Sequence, residues 1–152
     1  MNSRVFTCAI LVLVFGAALP AAEPLSFRND VLPVLSKVGC NSGGCHGSLA
    51  GKGGFRLSLN AYDPATDHYN ITREMRGRRI EPSAPARSLF VIKPTAAVRH
   101  KGGKVIREDS AEYRILTDWI RQGAPAPSEK DARLERLDVS PPQSVLEKGD
   151  TL

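Results

Sequence analysis

The segment 40-CNSGGCHG-47 constrains this chain more than any other part of its sequence. It holds Cys40 and Cys45, which are separated by four small residues, and His46 follows the second cysteine directly. The remaining cysteine, Cys8, lies within the first ten residues. Thiol and imidazole groups at such close spacing form disulfides, bind metals or attach cofactors. The sequence therefore predicts a chemical site at residues 40–47.

Residues 1–22 have the layout of a secretory signal peptide. A short start containing Arg4 leads into the apolar run Val5 to Leu19, and small residues follow. The run is shorter than the roughly 20 residues that a membrane-spanning helix needs, and no second apolar segment follows it. We expect cleavage between Ala18 and Glu23, export to the periplasm or cell surface, and no membrane span in the mature chain. An uncleaved N-terminal anchor is the alternative.

Signal cleavage would remove Cys8 and leave the cysteine pair alone in a chain of about 130 residues, the length of one small domain plus a tail. A disulfide between Cys40 and Cys45 would close too short a loop to restrain much of the chain. We therefore interpret the pair as chemical rather than structural. The net charge of +5 is spread over several segments, so we predict a solvated surface and no nucleic-acid binding.

Two segments carry helical patterns. Apolar residues at helical spacing predict a first helix from Phe27 towards Val38, which is capped by Ser26, kinked or restarted at Pro33, and followed by Gly39. A last helix is predicted over residues 111–122. Its capping box is Asp109 with Glu112, its stripe is Tyr113, Leu116 and Ile120 with Trp119 alongside, and Gly123 and Pro125 end it.

The middle of the chain is rich in loops. We expect an extended segment at Phe55, Leu57 and Leu59, where apolar and polar residues alternate, and a loop over residues 60–70. A short basic helix is predicted from Thr72 to Arg79, and one or two helical turns at residues 88–92. Residues 128–136 are predicted to be a charged linker, and residues 137–152 the first strand of a β-rich domain.

The cysteine segment itself favours covalent attachment of haem. In Cys-x-x-Cys-His sites both thiols bind the vinyl groups of haem and the adjacent histidine ligates the iron. Here four residues separate the thiols, but they are small and permissive, so both sulfurs can still reach the vinyls. A Cys40–Cys45 disulfide is one alternative, and zinc is another, although Cys40, Cys45 and His46 supply only three ligands where structural zinc takes four.

The chain resembles the planctomycete-type cytochrome c domain, which opens large exported proteins. The resemblance covers nearly all of residues 25–126. It rests on the segments 27-FRNDVLP-33, 39-GC-40, 45-CHG-47 and 51-GKGGFRL-57, and continues through residues 82–94, 100–103 and 113–125. Members of this family that resemble the chain share the four-residue gap between the cysteines, and a bacterial immunoglobulin-like domain often follows.

The resemblance implies an all-α, small cytochrome c-like fold, loop-rich, with the N- and C-terminal helices packed around haem and a truncated β-type tail. It implies a haem domain at residues 25–127, haem c bound through Cys40 and Cys45, and His46 as the proximal iron ligand. The implied function is one-electron transfer with a redox partner protein. We do not expect the chain by itself to be an enzyme, and further domains of a longer parent chain would fit the tail.

The sixth iron ligand is sought by elimination among His100, Met75 and His68. Met75 lies in a charged turn and His68 in a polar loop, whereas His100 precedes a glycine pair and the last helix. The axial methionine loop of ordinary small cytochromes c has that position. We predict His100, with Met75 and His68 as alternatives, or an open site.

Three other functions remain open from the sequence. The chain could be the electron-accepting module of a larger dehydrogenase or hydrolase. It could be a haem-based sensor with an open sixth site, or a cofactor-free surface binding module with a Cys40–Cys45 disulfide.

Overall fold

A computed structural model describes residues 24–138 and residue 140. Within these residues the chain is all-α, as predicted, and contains no strand. Four α-helices follow one another: α1 (Leu32–Lys37), α2 (Pro64–Thr72), α3 (Leu89–Ile92) and α4 (Ala111–Arg121). None of the helices described is long and apolar enough to cross a bilayer. The predicted signal peptide (residues 1–22) and nearly all of the predicted β-type tail (137–152) lie outside the described residues.

The segment before the cysteines is helical, and it changes from a π-helical to an α-helical turn next to Pro33. A π-helical turn, Phe27–Val31, runs directly into α1. Ser26 caps the turn, because its hydroxyl accepts a hydrogen bond from the backbone N–H of Asn29 at 3.1 Å. Pro33 lies in the first turn of α1, where its missing N–H costs no helical hydrogen bond. The prediction of a capped helix that restarts at Pro33 is confirmed.

The last helix is confirmed, but its cap is not the predicted one. Ser110, rather than Asp109, is the N-cap of α4, and its hydroxyl accepts a hydrogen bond from the backbone N–H of Tyr113 at 3.2 Å. Asp109 instead forms an exposed ion pair with Arg107. Glu112 pairs across the fold with Lys37, the last residue of α1, at 2.5 Å. The pattern Asp-x-x-Glu therefore placed the N-cap one residue too early. The helical backbone starts directly after Ser110, whose short side chain caps it.

The cap gives a direct test of this helix start. We expect Ser110→Ala to lower the free energy of unfolding by about 1 kcal/mol, because the N–H of Tyr113 loses its acceptor. Asp109→Ala, one residue away, should cost less than half as much, since its carboxylate binds only an exposed arginine. Urea unfolding of both variants measures the difference. A larger loss of unfolding free energy for Asp109→Ala than for Ser110→Ala would mean that Asp109 is the N-cap, as the sequence predicted.

The middle of the chain differs from the predictions. Residues 60–70, expected to be a loop, contain most of α2, and Asp63 caps this helix by accepting from the N–H of Thr66. The expected basic helix at 72–79 is wrong, because the chain leaves α2 after Thr72 and Met75 has a φ of 52°. The expected extended segment ends instead in a 3-10 turn, Leu59–Ala61.

A buried carboxylate ties α2 to this turn. Asp67 accepts hydrogen bonds from the backbone N–H of Ser58 at 2.5 Å and from its hydroxyl at 2.6 Å. Burial raises the pKa of Asp67, and these hydrogen bonds oppose the shift. The residues that the sequence placed in a loop are therefore fixed in a helix by contacts with Ser58 that the local pattern did not reveal.

The core lies where α4 crosses the first helical segment, as predicted. Phe27 and Trp119 are both fully buried, and their ring centroids are 5.3 Å apart. The indole N–H of Trp119 donates to the carbonyl of Pro125 at 3.1 Å. The charged segment after α4 turns back on the same region, where the side-chain amide of Asn29 donates to the carbonyl of Ala132 at 3.0 Å.

Candidate functional site

The cysteine segment is a tight, hydrogen-bonded turn at the end of α1. The backbone N–H of Cys40 donates to the carbonyl of Leu35 at 2.9 Å, and Gly39, with a φ of 78°, ends the helix between them. The N–H of His46 then donates back to the carbonyl of Cys40 at 2.9 Å. The four residues between the cysteines therefore fold outward, and Cys45 and His46 return beside Cys40.

Gly47 makes this turn possible. A Cβ atom at this position would lie 2.0 Å from the backbone carbonyl oxygen of Asn41, so no other residue fits without moving the backbone. Asn41 is itself buried, and its side-chain amide donates to the hydroxyl of Ser36 in α1 at 2.8 Å. The glycine after Cys-His thus permits the close approach, and Asn41 anchors the turn to α1.

Both cysteines of the turn are free thiols and half-buried. Burial raises the pKa of Cys40 to about 11, and the neighbouring Cys45 adds to the shift. Cys40 is therefore a neutral thiol at physiological pH. The two thiols share one environment without a bond between them.

A cavity of about 760 Å³ opens beside the turn. This volume falls within the roughly 300–1,000 Å³ typical of small-molecule and cofactor sites. Cys40, Cys45, His46 and His100 all line it. Its apolar walls are formed by Leu35, Phe55, Leu89, Phe90, Pro94, Ile106 and Leu116. All three residues predicted from the cysteine segment, and the predicted distal histidine, are thus brought to one cavity.

The ring of His46 is oriented by a backbone carbonyl. Its Nδ1 lies 3.0 Å from the carbonyl oxygen of Phe55. A carbonyl oxygen only accepts, so Nδ1 carries the proton and Nε2 keeps its lone pair, the arrangement typical of a histidine that binds a metal. Burial lowers the pKa of His46, which favours the same neutral form, and the hydrogen bond to Phe55 opposes this shift.

His100 repeats this arrangement on its own loop. Its Nδ1 lies 2.9 Å from the carbonyl oxygen of Gly103, so Nδ1 is the donor nitrogen of this ring, as it is in His46. The backbone of Gly102 packs against the ring, and a Cβ atom there would lie 2.8 Å from Cε1 of His100. The glycine pair noted in the sequence therefore turns the loop under the imidazole and orients it.

The two imidazoles face each other in the cavity. Their ring centroids are 6.4 Å apart and their planes lie within 12° of parallel. Two imidazoles bound to one metal from opposite sides, with metal–nitrogen bonds of about 2 Å, have centroids roughly 6 Å apart. The centroid separation is thus close to that of two imidazoles that share one metal ion.

The alternative sixth ligands lie elsewhere. Nε2 of His68 lies 2.9 Å from the carbonyl oxygen of Ala124, and its ring packs edge-on against Phe27 and Trp119. His68 is therefore half-buried against the core, where it packs on Phe27 and Trp119. Met75 is 57% exposed and does not line the cavity. The sequence placed both residues in polar surroundings, and only the fold separates them from His100.

Arg79 is a site residue that the sequence analysis missed. Its buried guanidinium donates to the carbonyl of Gly54 at 2.7 Å and lies 4.6 Å from the ring centroid of Phe55. It also forms an ion pair with Glu74 at 2.9 Å. Phe55 in turn orients His46 through its carbonyl, so Arg79 holds the segment that supports this imidazole. No local signal distinguished Arg79 from the neighbouring arginines, because two of its partners, Gly54 and Phe55, belong to a distant segment of the chain.

In the described part of the chain, no three His, Cys, Asp or Glu side chains converge on a point that could hold a metal ion. The thiols and the imidazole pair line the same cavity without meeting, and this arrangement does not favour a zinc site. No family model, characterised protein or solved structure matches the chain. The resemblance to the planctomycete-type cytochrome c domain therefore stays a prediction from the sequence.

Proposed function

We propose that the chain is a c-type haem protein domain that transfers single electrons outside the cytoplasm. The observation that carries the proposal is the cavity that is lined by both two thiols and two nearly parallel imidazoles. The protons on both Nδ1 atoms are directed to backbone carbonyls, so both Nε2 lone pairs are left for a metal.

The residues of the cavity fit a haem group. Cys40 and Cys45 would hold it by thioether bonds, and His46 and His100 would ligate its iron. The bound group supplies an iron ion that accepts one electron from a donor protein and passes it to an acceptor protein. The apolar walls exclude water, and the hydrogen bonds of His46 and His100 keep each ring in one tautomer and one orientation.

The sequence supports the compartment and the family. The predicted signal peptide at residues 1–22 favours export to the periplasm or cell surface, where c-type haem attachment takes place. The resemblance over residues 25–126 to the planctomycete-type cytochrome c domain supports the same chemistry. We therefore propose an electron-transfer module, and any catalytic activity would belong to a longer parent protein.

The proposal is tested by the mode of haem attachment. We expect protein that is produced with a c-type maturation system to keep its haem colour through acid–organic extraction, because thioether bonds survive that treatment. Cys40→Ser and Cys45→Ser should each remove one thioether bond and shift the reduced absorption band, and the double variant should lose its haem to the organic phase. Visible spectroscopy and intact mass measure both results.

The same experiment separates the alternatives. Colourless protein with a Cys40–Cys45 disulfide would replace the proposal by a cofactor-free binding module. A ferric high-spin spectrum that binds carbon monoxide without any substitution would indicate a sensor with an open sixth site. His68→Ala is the matched control, since His68 packs against the core and its loss should leave haem attachment intact.

A further inference from the structure

The charged side chains that line the cavity are all cationic. The lining contains six cationic side chains and no carboxylate: Lys52, Arg78, Arg79, Lys93, Arg99 and Lys101. A bound haem carries a pair of propionate carboxylates, which would neutralise only a minority of these cations. An excess of positive charge therefore surrounds the opening of the cavity.

Half of these cations already have partners within the protein. Arg79 is paired with Glu74, Lys52 donates to the carbonyl of Gly44, and Lys93 donates to the carbonyl of Arg99 at 2.8 Å. Arg78, Arg99 and Lys101 form no ion pair within residues 24–138. All three are exposed. Their charge is available to a molecule that approaches from solvent.

Two of these unpaired cations flank His100 in the loop 98–105. Arg99 and Lys101 lie on either side of the imidazole in sequence, and Lys104 adds a third exposed cation. The loop also exposes two aliphatic side chains, Val98 (37%) and Val105 (38%). A small apolar patch among charges is typical of weak electron-transfer interfaces, which bury little area and use charge to orient the encounter.

We infer that the loop 98–105 is the docking surface for an acidic redox protein, an inference that rests on the proposed function. The surface carries the second imidazole, so a partner seated on it lies next to the metal site. Its positive charge attracts and orients a partner with a negative surface, which raises the association rate. The acidic partner is thus brought to the side of the cavity where an electron has the shortest way out.

The loop does not have the features of other anion-binding surfaces. It lies between α3 and α4 and forms no helix, whereas surface binding to a membrane uses an amphipathic helix. It contains no Phe, Tyr or Trp on which a base could stack, and its one imidazole, His100, lines the cavity. An acidic protein surface is the occupant that this mixture of cations and small aliphatic side chains fits.

The first arm of the test measures binding by the holoprotein. We compare the double variant Arg99→Gln/Lys101→Gln with the charge-matched control Lys130→Gln/Arg133→Gln, whose cations lie in the segment after α4. Polyglutamate should bind the wild type and the control at low ionic strength and bind the Arg99/Lys101 variant about tenfold more weakly. Equal loss in both variants, or tighter binding to phosphatidylglycerol vesicles than to polyglutamate, would overturn the inference.

The second arm measures electron transfer with small redox ions. The rate with hexacyanoferrate, an anion, should fall about tenfold in the Arg99/Lys101 variant at low ionic strength and converge with the wild type in high salt. The rate with hexaammineruthenium, a cation, should not fall. A changed midpoint potential with unchanged rates would assign these cations to the haem carboxylates instead. Colourless protein would defeat the proposed function, while the polyglutamate arm would still decide the charge of the surface.

Discussion

In the haem protein that we propose, replacing His100 with Ala is expected to open one coordination position of the iron. The structure places the ring of His100 6.4 Å from that of His46, with its Nε2 free, and no other candidate ligand in the described residues lines the cavity. The ferric variant should therefore be high-spin, and the protein should bind carbon monoxide or cyanide. The wild type should have a lower reduction potential than a histidine–methionine site, because thioether ligation raises the potential.

Met75→Ala is the matched comparison. Met75 is 57% exposed and lies in a turn away from the cavity, so its removal should leave the spectrum and potential unchanged. The wild-type ferric protein should also lack the weak far-red band that sulfur ligation produces. If Met75→Ala opened the site and His100→Ala did not, Met75 would be the ligand and the loop of His100 would have another role.

Trp119→Ala is expected to lower the free energy of unfolding by roughly 3–5 kcal/mol. Trp119 is fully buried where α4 crosses the first helical segment, and its ring packs against Phe27, His68 and Phe90. Truncation would leave a cavity among these rings and would leave the carbonyl of Pro125 without its donor. Thermal or urea unfolding of the holoprotein measures the loss.

The control for this substitution is Tyr62→Ala. Tyr62 is also aromatic, but it is 72% exposed and should change stability by no more than about 0.5 kcal/mol. Trp119 does not line the cavity, so the axial spectrum of Trp119→Ala should match the wild type below its melting temperature. Similar losses for the two variants would mean that Trp119 is not a core residue in solution.

The local sequence was sufficient where each feature is formed by neighbours in the chain. The cap at Ser26, the restart at Pro33 and the stripe of α4 are interactions over a few residues, so their patterns predicted them correctly. The cysteine turn belongs to the same group, since the seven residues 40–46 bring both thiols and His46 together. Asp63-Pro64 was also a local signal for the start of α2, but the polar composition of residues 60–70 concealed it.

By itself, the sequence determined the all-α class and singled out the cysteine turn as the candidate site. Tertiary structure alone brought together the rings of His46 and His100, which are 54 positions apart in the chain. It also packed His68 against the core and placed the guanidinium of Arg79 over the ring of Phe55. The physical reason is that a short-range pattern records backbone preference and periodic burial, whereas the position of a ring across a cavity depends on how separate segments pack.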